Sequence, residues 1–225
     1  VAACDNSNGA FVYTHYSRAG YGKLQFRNDY GPAQFTAVRQ AITYCLDRAS
    51  FAKTFTGGYG SVVHGPYSTA QWMYQDSEEF FNDNLNNYSY DPAKAVEVLE
   101  ADGWIYDANG EPYVEGVRYK KIPAEYADEN DKTYKSIDGA YVTTKVGDDY
   151  YMPLVLNWYG TTDNPFSDLL VTDFEQGANI AAAGIVIQKT TGDFNPMLDE
   201  FYQQAVYGFY SGTPMYSCFN YATGF

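Results

Sequence analysis

The stretch Val38-Arg39-Gln40-Ala41-Ile42-Thr43-Tyr44-Cys45-Leu46-Asp47-Arg48 decides what fold to expect of this chain. With Phe35 ahead of it, Val38, Ile42, Cys45 and Leu46 fall at i, i+3, i+7, i+10 and i+11. That spacing puts them on one face of a 3.6-residue period, so an amphipathic helix is predicted over 34–48. An apolar face of this kind must be covered, and a sheet is the expected partner. Cys45 lies on that face and reads as a small buried hydrophobe. Arg39, Asp47 and Arg48 are expected to serve ion pairs and caps, as charged helix residues usually do.

Outward from the helix, Ser50 is placed to cap a shorter helix over 51–55, which Gly57-Gly58 would stop. The loop Gly57-Gly58-Tyr59-Gly60 lacks the Lys and the strand–helix setting of a phosphate cradle, so it reads as a loop beside a binding surface. On the other side, Tyr30-Gly31-Pro32 is a turn, and 21–28 alternates Leu24 and Phe26 as a strand does. Phe11-Val12-Tyr13 is a shorter strand candidate. Val1-Ala2-Ala3-Cys4 has the look of a lipoprotein cleavage box. No basic and apolar segment stands ahead of it in this sequence, so it is expected to be an internal strand end.

Further along, 61–90 is rich in aromatics, Asn and Ser, and is expected to be irregular and packed by its own side chains. Asp91 is then an N-cap, Pro92 sits at the first helical position and Gly103 stands where a left-handed C′ residue belongs. Asn109-Gly110 and Asp138-Gly139 are hairpin turn signals inside 105–151, a hairpin excursion with dense charge over 125–135. Residues 152–158 form an apolar strand, 166–183 a helix with Phe166, Leu169, Leu170 and Phe174 inward, and 185–187 a buried strand. That strand–helix–strand run predicts a parallel pair with a right-handed crossover. Asn195-Pro196 would open a helix reaching 207, and 216–219 would be the last strand.

The totals narrow the function classes. With 225 residues and 45% hydrophobic content the chain can bury a sizeable core. No run approaches the ~18 apolar residues of a membrane span. A formal charge of −14 disfavours nucleic acid, because phosphate binding needs clustered Lys and Arg. Three cysteines, Cys4, Cys45 and Cys218, allow one internal disulfide and show no C-x-x-C pair.

Motifs for covalent chemistry are missing. The two histidines, His15 and His64, stand in no metal-binding pattern, and there is no G-x-S-x-G elbow. Asp128-Glu129-Asn130-Asp131 lacks the spacing of an EF-hand and reads as a solvated run. Neither metal nor cofactor is therefore expected. What remains is a set of aromatic and amide side chains able to stack on a ligand and hydrogen-bond it: Tyr59, Trp72, Tyr74, Trp158, Tyr159 and Asn164. Trp158 and Tyr159 end a strand, where open α/β sheets place ligands.

Three motifs in order carry a resemblance. Val38-Arg39-Gln40-Ala41-Ile42 through Asp47-Arg48, with Gly57-Gly58-Tyr59-Gly60 and Gly65-Pro66, is the first. The second is Tyr90-Asp91-Pro92-Ala93-Lys94-Ala95 with Leu99 and Gly103-Trp104. The third is Ala183-Gly184-Ile185-Val186-Ile187. Together they resemble the family five extracellular solute-binding proteins, the oligopeptide- and dipeptide-binding subunits of bacterial ABC importers.

The resemblance implies an α/β fold, a type II periplasmic-binding-protein-like lobe with a mixed sheet flanked by helices. It implies that 1–225 is one lobe, the second large one, of a bilobal receptor that encloses a peptide or similar small solute for an ABC permease. The first lobe would lie outside this chain, and the membrane would be reached only through an anchor outside it. The setting implied is extracellular, as a cell-surface lipoprotein or in the periplasm. One departure stands out: where many members carry G-W-x-x-D, with its Asp for the peptide amine, this chain has Phe219-Asn220-Tyr221-Ala222-Thr223-Gly224-Phe225. The rival expectations are a secreted glycan-acting hydrolase or carbohydrate-binding module, and an adhesion module with an exposed apolar patch.

Overall fold

The computed structural model describes residues 2–14, 16, 18–124, 143–212 and 214–223. In chain order the elements are α1 (Ala2–Asp5), β1 (Tyr21–Phe26), a 3-10 turn (Gly31–Gln34), α2 (Thr36–Cys45), α3 (Arg48–Thr56), α4 (Trp72–Gln75), α5 (Glu78–Asn84) and α6 (Pro92–Ala101). Then come β2 (Tyr119–Ile122), β3 (Thr144–Val146), β4 (Asp149–Pro153), β5 (Val155–Thr161), α7 (Pro165–Leu170), a π-helical stretch (Val171–Glu175), α8 (Ala178–Ala182), β6 (Val186–Gly192), α9 (Phe194–Tyr202) and β7 (Cys218–Thr223). They gather into two compact units. The larger comprises Gly22–Val62 and Tyr88–Tyr221; the smaller comprises Val1–Tyr21, Val63–Asn87 and Ala222–Phe225.

In the larger unit the helix predicted over 34–48 divides. α2 buries Ala37, Val38, Ala41, Ile42 and Cys45, and ends where Leu46 turns extended. It packs chiefly against α6, so its first partner is a helix, not a sheet. Ala41 on α2 and Ala95 on α6 are fully buried in one core with Val38, Ile42 and Leu99. The sheet residues Leu154, Leu156 and Trp158 belong to the same core.

Capping fixes the ends. Asp47, not Ser50, caps α3: its carboxylate accepts from Ser50 N at 3.0 Å. Gly57 closes that helix in the left-handed region, φ 64°. Asp91 caps α6 by accepting from Lys94 N at 3.1 Å, with Pro92 in the first turn. Gly103 follows that helix at φ 90°. Arg39 donates to the carbonyls of Ala33 and Gln34 at 2.6 and 2.8 Å, and Arg48 to that of Tyr88 at 3.0 Å.

Residues 152–158 belong to two sheets. β4 pairs antiparallel with β2 and β3, whereas β5 runs parallel to β6 and β7. The break falls at Pro153-Leu154, where proline offers no N–H to a ladder. Leu154 N donates instead to Arg118 O at 2.8 Å. The four-stranded sheet has the order β1-β7-β5-β6. The expected parallel strand–helix–strand unit is present as β5, α7, α8 and β6.

Its helix is shorter than 166–183 and interrupted by the π-helical stretch. Gly177 follows that stretch so tightly that a Cβ there would strike Asp173 O. Arg118 ties the unit together from a buried position. It donates to Ala183 O at 3.0 Å and Trp104 O at 2.9 Å, and pairs with Glu100 at 3.2 Å.

Other boundaries move as well. α9 starts after Asp193, not at Asn195-Pro196, and stops at Gln203, φ 54°. Around Asn109-Gly110 the Asp107 carboxylate accepts from Asn109 N and Glu111 N at 2.8 and 2.9 Å, closing a tight turn. Asp128-Glu129-Asn130-Asp131, Asp138-Gly139 and His15 lie outside the described residues. Cys4, Cys45 and Cys218 are free thiols.

In the smaller unit, Ala2–Asp5 is helical rather than a strand end. Phe11, Val12 and Tyr13 are exposed and form no strand. Residues 63–87 hold two helices where irregular structure is predicted. They are packed by their own aromatics, Tyr67 and Tyr74 against Phe81 with ring centroids at 6.1 and 5.7 Å. Ser68 Oγ donates to Arg18 O at 3.1 Å and Tyr21 OH to Pro66 O at 3.1 Å, which ties the preceding segment to them.

Candidate functional site at the carboxyl edge of the parallel strands

β5 and β6 pair in register from Val155↔Val186 to Thr161↔Gly192, so their carboxyl ends finish side by side. Thr162 N donates to Gly192 O at 3.0 Å and carries the ladder one residue further. Asp163 then turns through the left-handed region, φ 51°, which a short polar side chain tolerates. Asn164 caps α7: its Oδ1 accepts from Phe166 N at 3.0 Å and its Nδ2 donates to Thr161 Oγ1 at 2.8 Å. On the β6 side, Asp193 leaves α9 uncapped by its side chain and accepts from Thr162 Oγ1 at 3.3 Å instead. Thr162, Asp163 and Asp193 are exposed. The edge thus presents hydroxyl and carboxylate groups on a short, cross-linked pair of strand ends.

Tyr159 and Trp158 lie on opposite faces of β5, as successive strand residues must. Tyr159 is buried among Met197, Leu198, Tyr216 and Phe219. Its hydroxyl donates to Asp193 O at 3.3 Å, and its ring meets Tyr216 edge-on at 4.9 Å. Burial pushes its phenol up to about 12, with Tyr216, Asp193 and Glu200 adding to the rise, so it stays a donor at neutral pH. Gly192 passes so close that a Cβ there would strike the Tyr159 hydroxyl.

Trp158 is fully buried and lies under the edge. Its indole N–H is donated to Asn220 Oδ1 at 3.1 Å, and Asn220 Nδ2 donates to Ser167 Oγ at 2.9 Å. This chain of bonds locks β5, β7 and α7 together.

Tyr59 belongs to the same unit and is 65% exposed on the loop after α3. α3 is fixed to α7 by Phe51 and Phe55, whose rings meet Phe166 at 5.0 and 5.1 Å. The Tyr59 loop therefore starts beside the first turn of α7, two residues beyond the Asn164 cap. Trp72 and Tyr74 lie in the smaller unit; Trp72 is 69% exposed, whereas Tyr74 is buried and stacked on Phe81.

A separate cleft of about 200 Å³, lined by Leu46, Asp47, Ser50, Tyr90, Asp173 and Asn179, holds none of the six predicted residues. Sequence patterns missed Asn220, Asp193 and Thr162. A polar residue breaking the apolar run Cys218-Phe219 was the available signal for Asn220. The other two owe their place to the parallel register. Among the described residues, no three or more His, Cys, Asp or Glu side chains cluster as a metal site, and no helix is long and apolar enough to cross a membrane.

Comparison with known proteins agrees with this architecture. The family model described as bacterial extracellular solute-binding proteins, family 5 Middle, matches residues 5–137. Heme-binding protein A of Haemophilus influenzae is 28% identical over 81 residues, which is 36% of this chain and 14% of that protein. The oligopeptide-binding protein AppA of Bacillus subtilis, solved with a nonapeptide, superposes with a TM-score of 0.62 at 15% identity. That match covers 92% of this chain and 32% of AppA. A periplasmic oligopeptide-binding protein from Thermotoga maritima gives 0.61 at 11% identity, covering 99% of this chain and 34% of that one. The chain thus spans about a third of the length of these solved structures. At such identities the likeness is one of fold.

Proposed function

We propose a function from one premise: the chain belongs to the bacterial extracellular solute-binding proteins, family 5. On this proposal it is part of the substrate-binding component of an ABC importer, and it captures a small solute without covalent chemistry for delivery to a permease. It supplies one lobe of a bilobal receptor, with 105–151 as a hairpin excursion, and closure of the two lobes encloses the solute. The receptor works outside the cytoplasmic membrane, in the periplasm or as a surface lipoprotein.

The observation that carries this is the family match, with a fold likeness that spans nearly the whole chain but only a third of each solved relative. The proposed solute is a peptide, as in AppA. The strand-edge hydroxyls and carboxylates suit its polar backbone, and Tyr59, in the same unit, offers an exposed ring for its side chains. Tyr159 and Asn164 shape the edge, and Trp158 holds it from below.

Native mass spectrometry of the receptor purified from its own host tests the solute class. The expected result is a peptide mass retained under native conditions and released on denaturation. A retained heme or nickel chelate would move the class, and turnover of a chromogenic glycoside would sink the reading altogether. Calorimetry with the same peptide should find weak binding to this chain alone; tight binding would overturn the one-lobe proposal.

A further inference from the structure

Beneath the strand edge lies a cluster of charges separate from the residues proposed for binding. Asp199 and Glu200 are adjacent on α9, and both are buried, at 0% and 5% exposure. The Asp199 carboxylate gathers main-chain N–H groups of the segment after the helix, accepting from Tyr207 N at 2.9 Å and Phe209 N at 2.8 Å. Burial alone would raise its pKa, but the N–H groups of Phe209, Tyr207, Val206 and Tyr210 bring it below the usual carboxylate value. Asp199 is therefore the ionised anchor of segment 203–212.

Among the described residues no main-chain N–H supports the Glu200 carboxyl in this way. Arg27, just past β1, is the cation that faces it, and its fork is turned to a third carboxylate. Arg27 Nε and Nη2 both donate to Asp29, each at 3.0 Å. The hydrogen bond from Arg27 to Glu200 goes to the main-chain carbonyl, 3.5 Å away. Asp29 also accepts from Gln203 Nε2 at 3.3 Å. Asp29 and Glu200 thus compete for one guanidinium, and among the described residues no fork holds the buried Glu200 carboxyl. The other groups that feel its charge are phenols: Tyr159 on β5, Tyr210 in the segment and Tyr216 before β7. Burial outweighs the pull of Arg27 and, with a smaller push from Asp199, favours its neutral form.

We infer that Glu200 is a proton-operated latch on segment 203–212, closed when its carboxyl is protonated and strained when the proton leaves to solvent. Ionisation puts a second buried negative charge beside Asp199 and sets it in competition with Asp29 for Arg27. The first loosens the hold of Asp199 on the Tyr207 and Phe209 N–H groups, and the second disturbs Asp29, which holds Gln203 at the start of the segment. Tyr216, packed on Tyr159, carries the change toward the strand edge. The latch does not depend on which solute the protein takes.

The test is an NMR titration of the whole chain from about pH 5.5 to 8.5, following the Tyr207, Phe209 and Tyr216 amides. The expected result is one shared transition near neutrality in the native protein, absent in Glu200→Gln, whose amide mimics the protonated acid. Asp29→Asn alters an exposed side chain and frees Arg27 for Glu200. It should move the transition down by roughly half a pH unit or more. A transition that persists in Glu200→Gln, a native protein that is flat across the range, or an Asp29→Asn midpoint that stays put would each overturn the latch. Should Glu200→Gln fail to fold, the direction of the Asp29→Asn shift decides.

Discussion

At the scale of single residues, the polar groups buried under the edge set both stability and its pH dependence. Glu200 is pushed from 4.5 up to about 7, by burial against the pull of Arg27. An acid whose folded pKa lies above its unfolded value ionises first in the unfolded chain. Its contribution to stability is therefore full below about pH 4.5 and declines as pH rises toward 7. Asp199 has the opposite sign: its support is present above its ordinary value of 3.8 and is lost on further acidification. Urea unfolding of the native chain should show midpoints falling between these pH values, and Glu200→Gln should flatten that slope. Asn220 is the second such residue. Asn220→Leu strands the Trp158 N–H and the Ser167 hydroxyl in the core, and should cost about 1–3 kcal/mol by the same measurement.

At the scale of elements, caps decide where helices end. α3 starts one turn earlier than a Ser50 cap would allow, because Asp47, with non-helical backbone at φ −74° and ψ 80°, takes the Ser50 N–H. Asp47→Ala should therefore cost about 1 kcal/mol, whereas Ser50→Ala, which keeps the donating N–H, should be close to neutral in urea unfolding. α6 shows the other case, in which every end signal lies in the local sequence: Asp91, Pro92 and Gly103 act where their chemistry places them. The strand predicted at 152–158 shows where local signals stop. It is apolar without a break from Met152 to Leu156, yet Pro153-Leu154 hands it from an antiparallel sheet to a parallel one.

At the scale of the whole molecule, the exposed rings are the ones available to a solute. Tyr59→Ala and Trp72→Ala should each leave stability within about 0.5 kcal/mol of the native chain, since neither ring is buried. Tyr59→Ala should also weaken peptide binding by the complete receptor in calorimetry, and unchanged affinity would remove that ring from the proposed site.

The sequence by itself determined the helix faces, the Asp91 cap, the parallel β5–β6 unit and, through three ordered motifs, the family. Those features depend on neighbours within a few residues, where periodicity and turn chemistry act directly. Only the tertiary structure decided that α2 lies on α6, and that Trp158 faces one core while Tyr159 faces another. It alone set one arginine between Asp29 and Glu200. Such choices turn on packing volume, burial and charge sharing between residues far apart in the chain, and a one-dimensional pattern does not record those distances.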